Sequence, residues 1–356
     1  MPSLKEIKGR INSISSTLAI TSAMKMVAAA KLQKAQMAIQ NMLPYERRLY
    51  SMLLDLMGAM NISAAASEDG SVRGSGSAER GFDQSGDRLS LSNRHDLAGM
   101  EGAYSLMAQR EVRKVAIVAF ASNSSLCGAF NSNVIREATA VINEYRASGL
   151  GDADITVYSV GRKMAEAMKR LGFPSPADFT KMSDSPSYDA ASALAQELFD
   201  GFVSGRFDKV ELVYNHYKST SSQPTTRQTY LPLSLADATA DIQVGKITDS
   251  ASEPYTDKVA EPAVRQNSPT TETPDLIVEP SKEELIATLL PKVVRLRVFT
   301  TLLDSTAAEH AARTVAMQLA TDNGNDLLQE LTLEYNKGRQ QKITSEILDI
   351  VGGSLQ

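Results

Sequence analysis

Residues 4–60 read LKEIKGRINSISSTLAITSAMKMVAAAKLQKAQMAIQNMLPYERRLYSMLLDLMGAM. Stepping alternately by three and four places through them gives Leu4, Ile7, Ile11, Ile14, Leu18, Thr21, Lys25, Ala28, Leu32, Ala35, Ile39, Met42, Glu46, Leu49, Leu53, Leu56 and Met60. Fourteen of these seventeen positions are apolar, which makes the pattern a heptad repeat and predicts one long helix with a seam. At 1.5 Å per residue it would run roughly 80–90 Å, beyond what a globular domain uses. Pro44 is expected to kink it. The polar exceptions Thr21 and Lys25 fall together in Thr21-Ser-Ala-Met-Lys-Met26. Such a break sets register or marks a place where the helix meets something else.

A second long helical stretch begins at Ser281, where Ser281-Lys-Glu-Glu284 after Pro280 has the form of a capping box. Apolar seams recur there as Leu296, Phe299, Leu303, then Ala308, Ala312, Val315, Leu319, then Ile343, Ile347, Ile350. Read by hydrophobicity, these fall in different frames, so register shifts are expected near Asp322-Asn-Gly324 and Gly338. Pro291 is an expected early kink. The small residues Ala307, Ala308, Ala311, Ala312 and Ala316 would allow close approach of a neighbour. Two such helices at opposite ends of one chain each need cover, and each is the natural cover of the other.

Between them lies an alternation of strand-like and helix-like runs. Lys114–Phe120, Asp154–Ser159, Lys209–Tyr214 and Thr226–Leu233 read as strands, and 132–146, 162–171 and 190–203 as helices. That order implies βαβ units around a mainly parallel sheet covered on both faces, with the last two strands able to pair antiparallel at an edge. The fold class expected is therefore α/β: a long antiparallel coiled coil of the N- and C-terminal helices plus a Rossmann-like α/β domain. The expected organisation is 1–62 as the N-terminal helix, 63–103 as a low-complexity insertion and 104–240 as the α/β unit. A second insertion follows over 241–280, then the C-terminal helix over 281–356. Ser, Gly, Thr, Pro and acidic residues dominate both insertions, which can bury little apolar surface.

The 356 residues carry a net charge of −5, but residues 1–60 hold eight basic side chains against Glu6, Glu46 and Asp55, leaving the remainder near −10. A mildly acidic total argues against a nucleic-acid binder. A basic stretch beside an acidic remainder reads first as a solvated helix face, and otherwise suits an acidic partner surface. One cysteine excludes an internal disulfide framework, and three scattered histidines (His95, His216, His310) cannot build a histidine-rich metal cage. No run reaches membrane-spanning length.

Candidate chemistry is thin. The loop Ala121-Ser-Asn-Ser-Ser-Leu-Cys-Gly-Ala-Phe-Asn131 sits between a strand and a helix, where α/β folds bind ligands. It matches neither common phosphate motif and contains no Lys, so a tight turn with a helix cap is the better reading. Cys127 has no His near it in sequence and reads as a buried thiol. The carboxylate pairs Glu283/Glu284 and Asp152/Asp154 read as helix-start and strand-edge residues. The polar tail Tyr335-Asn-Lys-Gly-Arg-Gln-Gln-Lys-Ile-Thr344 bears three cations and no acid.

The ends carry a specific resemblance. Ile20-Thr-Ser-Ala-Met-Lys-Met-Val-Ala-Ala-Ala-Lys-Leu32, Glu309-His-Ala-Ala-Arg-Thr-Val-Ala-Met-Gln-Leu-Ala-Thr-Asp-Asn323 and the segment from Leu331 to Gly353 resemble the terminal signatures of the gamma subunits of F-type ATP synthases. Leu126-Cys-Gly-Ala-Phe-Asn131 resembles that family's central loop. The family loop begins Asp-Arg-Gly where this chain has Asn123-Ser124-Ser125, which loses an acid and a base.

The resemblance implies a non-catalytic rotor shaft without a cofactor, coupling ion flow through a membrane c-ring to ATP synthesis or hydrolysis. Its implied partners are a ring of alpha and beta subunits, an epsilon subunit and the c-ring. Membrane association would be peripheral, through the c-ring, on the cytoplasmic face of a bacterial inner membrane. By motif match, Met24, Lys25 and Met26 would face the lower part of a beta subunit, and Arg339, Gln340 and Thr344 would form an upper contact with a beta-subunit loop. Two rivals are weaker. An enzyme binding a nucleotide over 113–235 lacks the phosphate motif, and an adaptor coiled coil would keep one heptad frame.

Overall fold

The computed structural model describes residues 3–59, 106, 110–233, 279 and 282–354. Both proposed insertions, Glu279 apart, and the capping-box serine lie outside the described residues. Helix α1 spans Leu4–Ala59, and the Glu6 N–H donates to Ser3 Oγ at its start. Strand β1 (Val115–Phe120), helix α2 (Phe130–Ala147), strand β2 (Ile155–Val160), helix α3 (Arg162–Arg170), the short helix α4 (Thr180–Asp184) and helix α5 (Tyr188–Val203) follow. Strands β3 (Lys209–Asn215) and β4 (Thr225–Leu231) and helix α6 (Lys282–Ser354) complete the order. Pro44 and Pro291 both lie inside continuous helices.

The sheet order is β2-β1-β3-β4. β1 pairs parallel with β2 and β3, and β4 runs antiparallel to β3 at the edge, as the strand pattern anticipated. Alternate residues of a strand point to opposite faces, and β1 uses both faces for core. Val115, Ile117 and Ala119 meet Val134, Ile142, Met164 and Met168 of α2 and α3. Ala116, Val118 and Phe120 face the other way, into a cluster with Leu194, Leu198 and Phe202 of α5. That second cluster also holds Leu49, Leu53 and Leu56 of α1 and Ile286, Leu290, Val293 and Leu302 of α6. The long helices thus supply part of the layer that closes one face of the sheet. Burying each such aliphatic side chain stabilises by about 1.5–3 kcal/mol, so the sheet and the helix pair share one core.

All sixteen described seam positions of α1, Leu4 through Leu56, are buried or half-buried. The helices run antiparallel: Leu4 lies against Gly338, Leu18 against Gly324, and Thr321 Oγ1 donates to Thr21 Oγ1 at 3.2 Å. The frame of α6 differs from the expectation. Val293, Leu296, Thr300, Leu303, Ala307, His310, Thr314, Met317, Thr321, Gly324, Leu328, Leu331, Tyr335 and Gly338 are all buried or half-buried. They repeat at alternating steps of three and four, one heptad frame without a break at Gly324 or Gly338. Leu319, Ile343, Ile347 and Ile350 lie outside it and are 48–72% exposed. Hydrophobicity misled here because half of this seam is small or polar. Ala308 and Ala312, assigned to a seam by the sequence, instead pack toward Cys127 and Phe130 of the loop after β1.

Candidate functional site

The six contact residues predicted from sequence fall into two groups on the helix pair. Met24 and Lys25 are half-buried and Met26 is 66% exposed. Arg339, Gln340 and Thr344 are exposed, and the Thr344 hydroxyl donates to the Gln340 carbonyl oxygen at 2.9 Å, bonding only to its own helix. The pairings of Thr21 with Thr321 and Leu18 with Gly324 put Lys25 level with about Met317. The two groups are therefore about 33 Å apart along the axis at 1.5 Å per residue. Past Gly338, α6 continues to Ser354 with no described α1 residue opposite, and its described side chains from Arg339 to Val351 are exposed. Ile343, Ile347, Leu348, Ile350 and Val351 make this tip apolar, and its charges balance, Arg339 and Lys342 against Glu346 and Asp349.

The loop after β1 is tied down rather than open to a ligand. The Ser122 N–H donates to Asn131 Oδ1 at 3.0 Å, and Asn131 Nδ2 donates to the Ser124 carbonyl at 3.2 Å. The N-cap position of α2 is Ala129, which offers no side-chain cap, so the cap expected there is absent. Instead Asn123 Oδ1 accepts from the Arg162 N–H at 2.8 Å and so satisfies the start of α3. Arg313 of α6 donates to the Ser125 carbonyl and to Ser124 Oγ, both at 2.8 Å. It also pairs with Glu309 at 2.7 Å. Of the two residues that replace a charged pair of the resembled family loop, Ser124 bonds to α6, whereas Asn123 bonds to Arg162 and Thr180 within the sheet domain. Leu126 and Gly128 turn the loop with φ of 69° and 58°, and Leu126 is 57% exposed. Gly161 admits the close approach of β1's end: a Cβ there would stand 2.0 Å from the Ala121 carbonyl oxygen.

Cys127 is buried, with Ser122, Ser124 and Asn131 as its polar neighbours. Hydroxyl, carbonyl and amide groups do not take a thiol proton, so a nucleophilic role finds no base in these contacts. Asp152 pairs with Arg146, and Asp154 accepts from the Gly151 N–H. Both are structural, as expected. Glu211, 1% exposed on β3, is ringed by Arg227, Lys209 and the Tyr145 hydroxyl at 2.6–3.0 Å. Burial pushes its carboxyl up, but those three donors together hold it below the usual carboxylate range. On α6, burial followed by the Lys31 and Arg313 charges pushes His310 down to about 4. Burial raises Glu309, and Arg313 opposes this. Among the described residues no group of His, Cys, Asp and Glu could hold a metal ion. No described helix is long and apolar enough to cross a membrane.

A family model described as ATP synthase matches residues 3–355. The ATP synthase gamma chain of Phocaeicola vulgatus is 47% identical over 355 residues, covering 100% of both chains. That of Bacteroides thetaiotaomicron is 46% identical over 356 residues, again covering 100% of both. The chain belongs to the ATP synthase gamma chain family. A chain of the mitochondrial ATP synthase of Euglena gracilis, at 20% identity, covers 98% of this chain and 92% of its own with a TM-score of 0.51, and shares the fold.

As a gamma chain, the protein is the rotor shaft of an ATP synthase. The antiparallel helix pair is suited to that part, because it puts exposed groups of different chemistry at different heights on one stiff rod. Sequence reasoning missed the residues that join the shaft to the sheet domain. Arg313 stood inside a recognised signature without a role, and Gln36, Tyr217 and Asp304 were not singled out. No local spacing could reveal them, since the Gln36–Tyr217 and Tyr217–Asp304 contacts join positions 181 and 87 residues apart.

Proposed function

We propose that this chain is the central shaft that couples ion flow through a membrane c-ring to ATP synthesis or hydrolysis in a ring of alpha and beta subunits, without being catalytic itself. Its helices work as an antiparallel coiled coil over 1–62 and 281–356. The unit over 104–240 is the foot that meets epsilon and the c-ring, and 63–103 and 241–280 are insertions. Met24, Lys25 and Met26 contact the lower part of a beta subunit, and Arg339, Gln340 and Thr344 contact a beta-subunit loop higher up. The complex sits peripherally on the cytoplasmic face of a bacterial inner membrane, held there through the c-ring.

The observation that carries this reading is the tip of α6, whose described side chains beyond Gly338 are exposed and include both Arg339 and five large aliphatics. Ile343, Ile347, Ile350 and Val351 fall along one face of this lone helix, and an exposed apolar stripe of that kind calls for cover by other protein. A shaft can drive catalytic sites only if it touches their states with different free energies, and one-sided contacts on such a tip allow that. The test is to mix the chain with separately purified cognate alpha and beta subunits, size the product and assay ATP hydrolysis. The expected product holds one copy per three alpha–beta pairs, with ATPase activity dependent on the chain. Absence of any complex with folded chain would overturn the reading.

A further inference from the structure

A rotor must pass torque between its sheet domain and its helices. Apolar packing alone resists tangential slip poorly, because it is non-directional and scales only with area. Directional bonds fix an angle. At the end of β3 the chain does not leave the shaft. His216 Nδ1 lies 2.6 Å from Asp304 Oδ2, and the Tyr217 N–H donates to Asp304 Oδ1 at 2.9 Å, so one α6 carboxylate holds two consecutive residues. The Asp304 side chain is only 16% exposed, which strengthens bonds to its charge.

The Tyr217 ring then enters the groove between the long helices. It packs on Leu32 and Ala35 of α1 and on Ala307 and Ala311 of α6. Its hydroxyl accepts a hydrogen bond from Gln36 Nε2 of α1 at 2.6 Å. The two alanines of α6 are fully buried, and their small size leaves room for an aromatic ring in a helix pair. Tyr217 is thus a wedge bonded to one helix through its side chain and to the other through its backbone.

We propose that Tyr217, held by Asp304 and Gln36, is a positioning residue for torque transfer, locking the rotational setting of the sheet domain on both shaft helices. This rests on the rotor reading above. Turning the foot relative to the shaft would pull the ring from the groove and break bonds to both helices at once.

The test uses the complete ATP synthase in vesicles, reading ions pumped per ATP hydrolysed alongside the hydrolysis rate. Tyr217→Ala is expected to assemble and hydrolyse ATP, with a loss of ions pumped per ATP. Tyr217→Phe, which keeps the ring and the backbone bond to Asp304 and loses the hydroxyl's contacts with Gln36 and Thr220, should recover most of that ratio. Met168→Ala, in the core on the sheet face away from the long helices, is the structural control and should lower thermal stability without moving the ratio. An unchanged ratio in Tyr217→Ala would overturn the proposal. If Tyr217→Ala does not fold, Asp304→Ala, which removes the α6 carboxylate that holds His216 and the Tyr217 N–H, decides instead: a lowered ratio supports the lock and an unchanged one overturns it. Failure of the unaltered chain to assemble would overturn the rotor reading, and this proposal with it.

Discussion

Leu18 of α1 occupies the space that Gly324 of α6 leaves open: a Cβ at Gly324 would stand 2.7 Å from Leu18 Cδ2 and 3.1 Å from its Cγ. Gly338 seats Leu4 in the same way, at 3.1 Å. These glycines sit in the interior of a helix, where glycine costs about 1 kcal/mol against alanine, so packing rather than propensity explains them.

Exchanging knob and hole tests this. Gly324→Leu should destabilise the chain by about 1–3 kcal/mol through overpacking. Adding Leu18→Ala should recover more than half of the loss. Thermal unfolding of the single and double variants gives the coupling directly, and strict additivity would refute the contact.

Arg313 should hold the loop after β1 shut. Arg313→Ala removes its bonds to Ser124 and Ser125, and the chain's one cysteine, Cys127, is a buried member of that loop. The rate at which a thiol reagent modifies Cys127 should rise about tenfold or more, the equivalent of losing one or two charged hydrogen bonds. An unchanged rate would place the clamp elsewhere.

His310 gives the stability a pH dependence of known sign. The folded chain takes up this proton near 4 and the unfolded chain near 6.5. Between those values the unfolded state binds more protons, so stability falls as pH drops from 6.5 toward 4, by at most about 1.4 kcal/mol per pH unit. His310→Gln should flatten that limb in denaturant titrations at several pH values.

Glu211 acts further into acid. Its folded value lies below its ordinary 4.5, so its contribution is present above 4.5 and is lost as pH falls through the folded value. Glu211→Ala leaves the Arg227 and Lys209 charges without their central partner. It should cost about 3–5 kcal/mol at neutral pH, read as a shift in the denaturant midpoint.

Arg339 and Gln340 are exposed, so replacing both with alanine should leave the melting temperature of the isolated chain unchanged. Coupled ATP turnover in the assembled complex should fall. Full turnover with correct assembly would remove these residues from the contact surface.

The seam of α1 was legible because its residues are large and apolar, and period alone exposes such a stripe. The βαβ order and the antiparallel edge strand were legible for the same reason. The candidate contact residues were legible only through motif resemblance, since exposed Arg339, Gln340 and Met26 leave no periodic trace.

Three things required the tertiary structure. The single frame of α6 is defined by what it faces: Gly324 and Gly338 belong to a seam only because Leu18 and Leu4 fill them. The loop cap moved from α2 to α3 because Asn123 reaches a helix that begins 39 residues later in the chain. The clamp of Tyr217 on Asp304 and Gln36 joins three distant segments. Sequence by itself determined which segments form helices and strands, because local period and propensity are properties of neighbours along the chain. Only the folded chain decided which small and polar residues carry its internal contacts, because a glycine, a threonine or an asparagine acquires its meaning from the group placed opposite it.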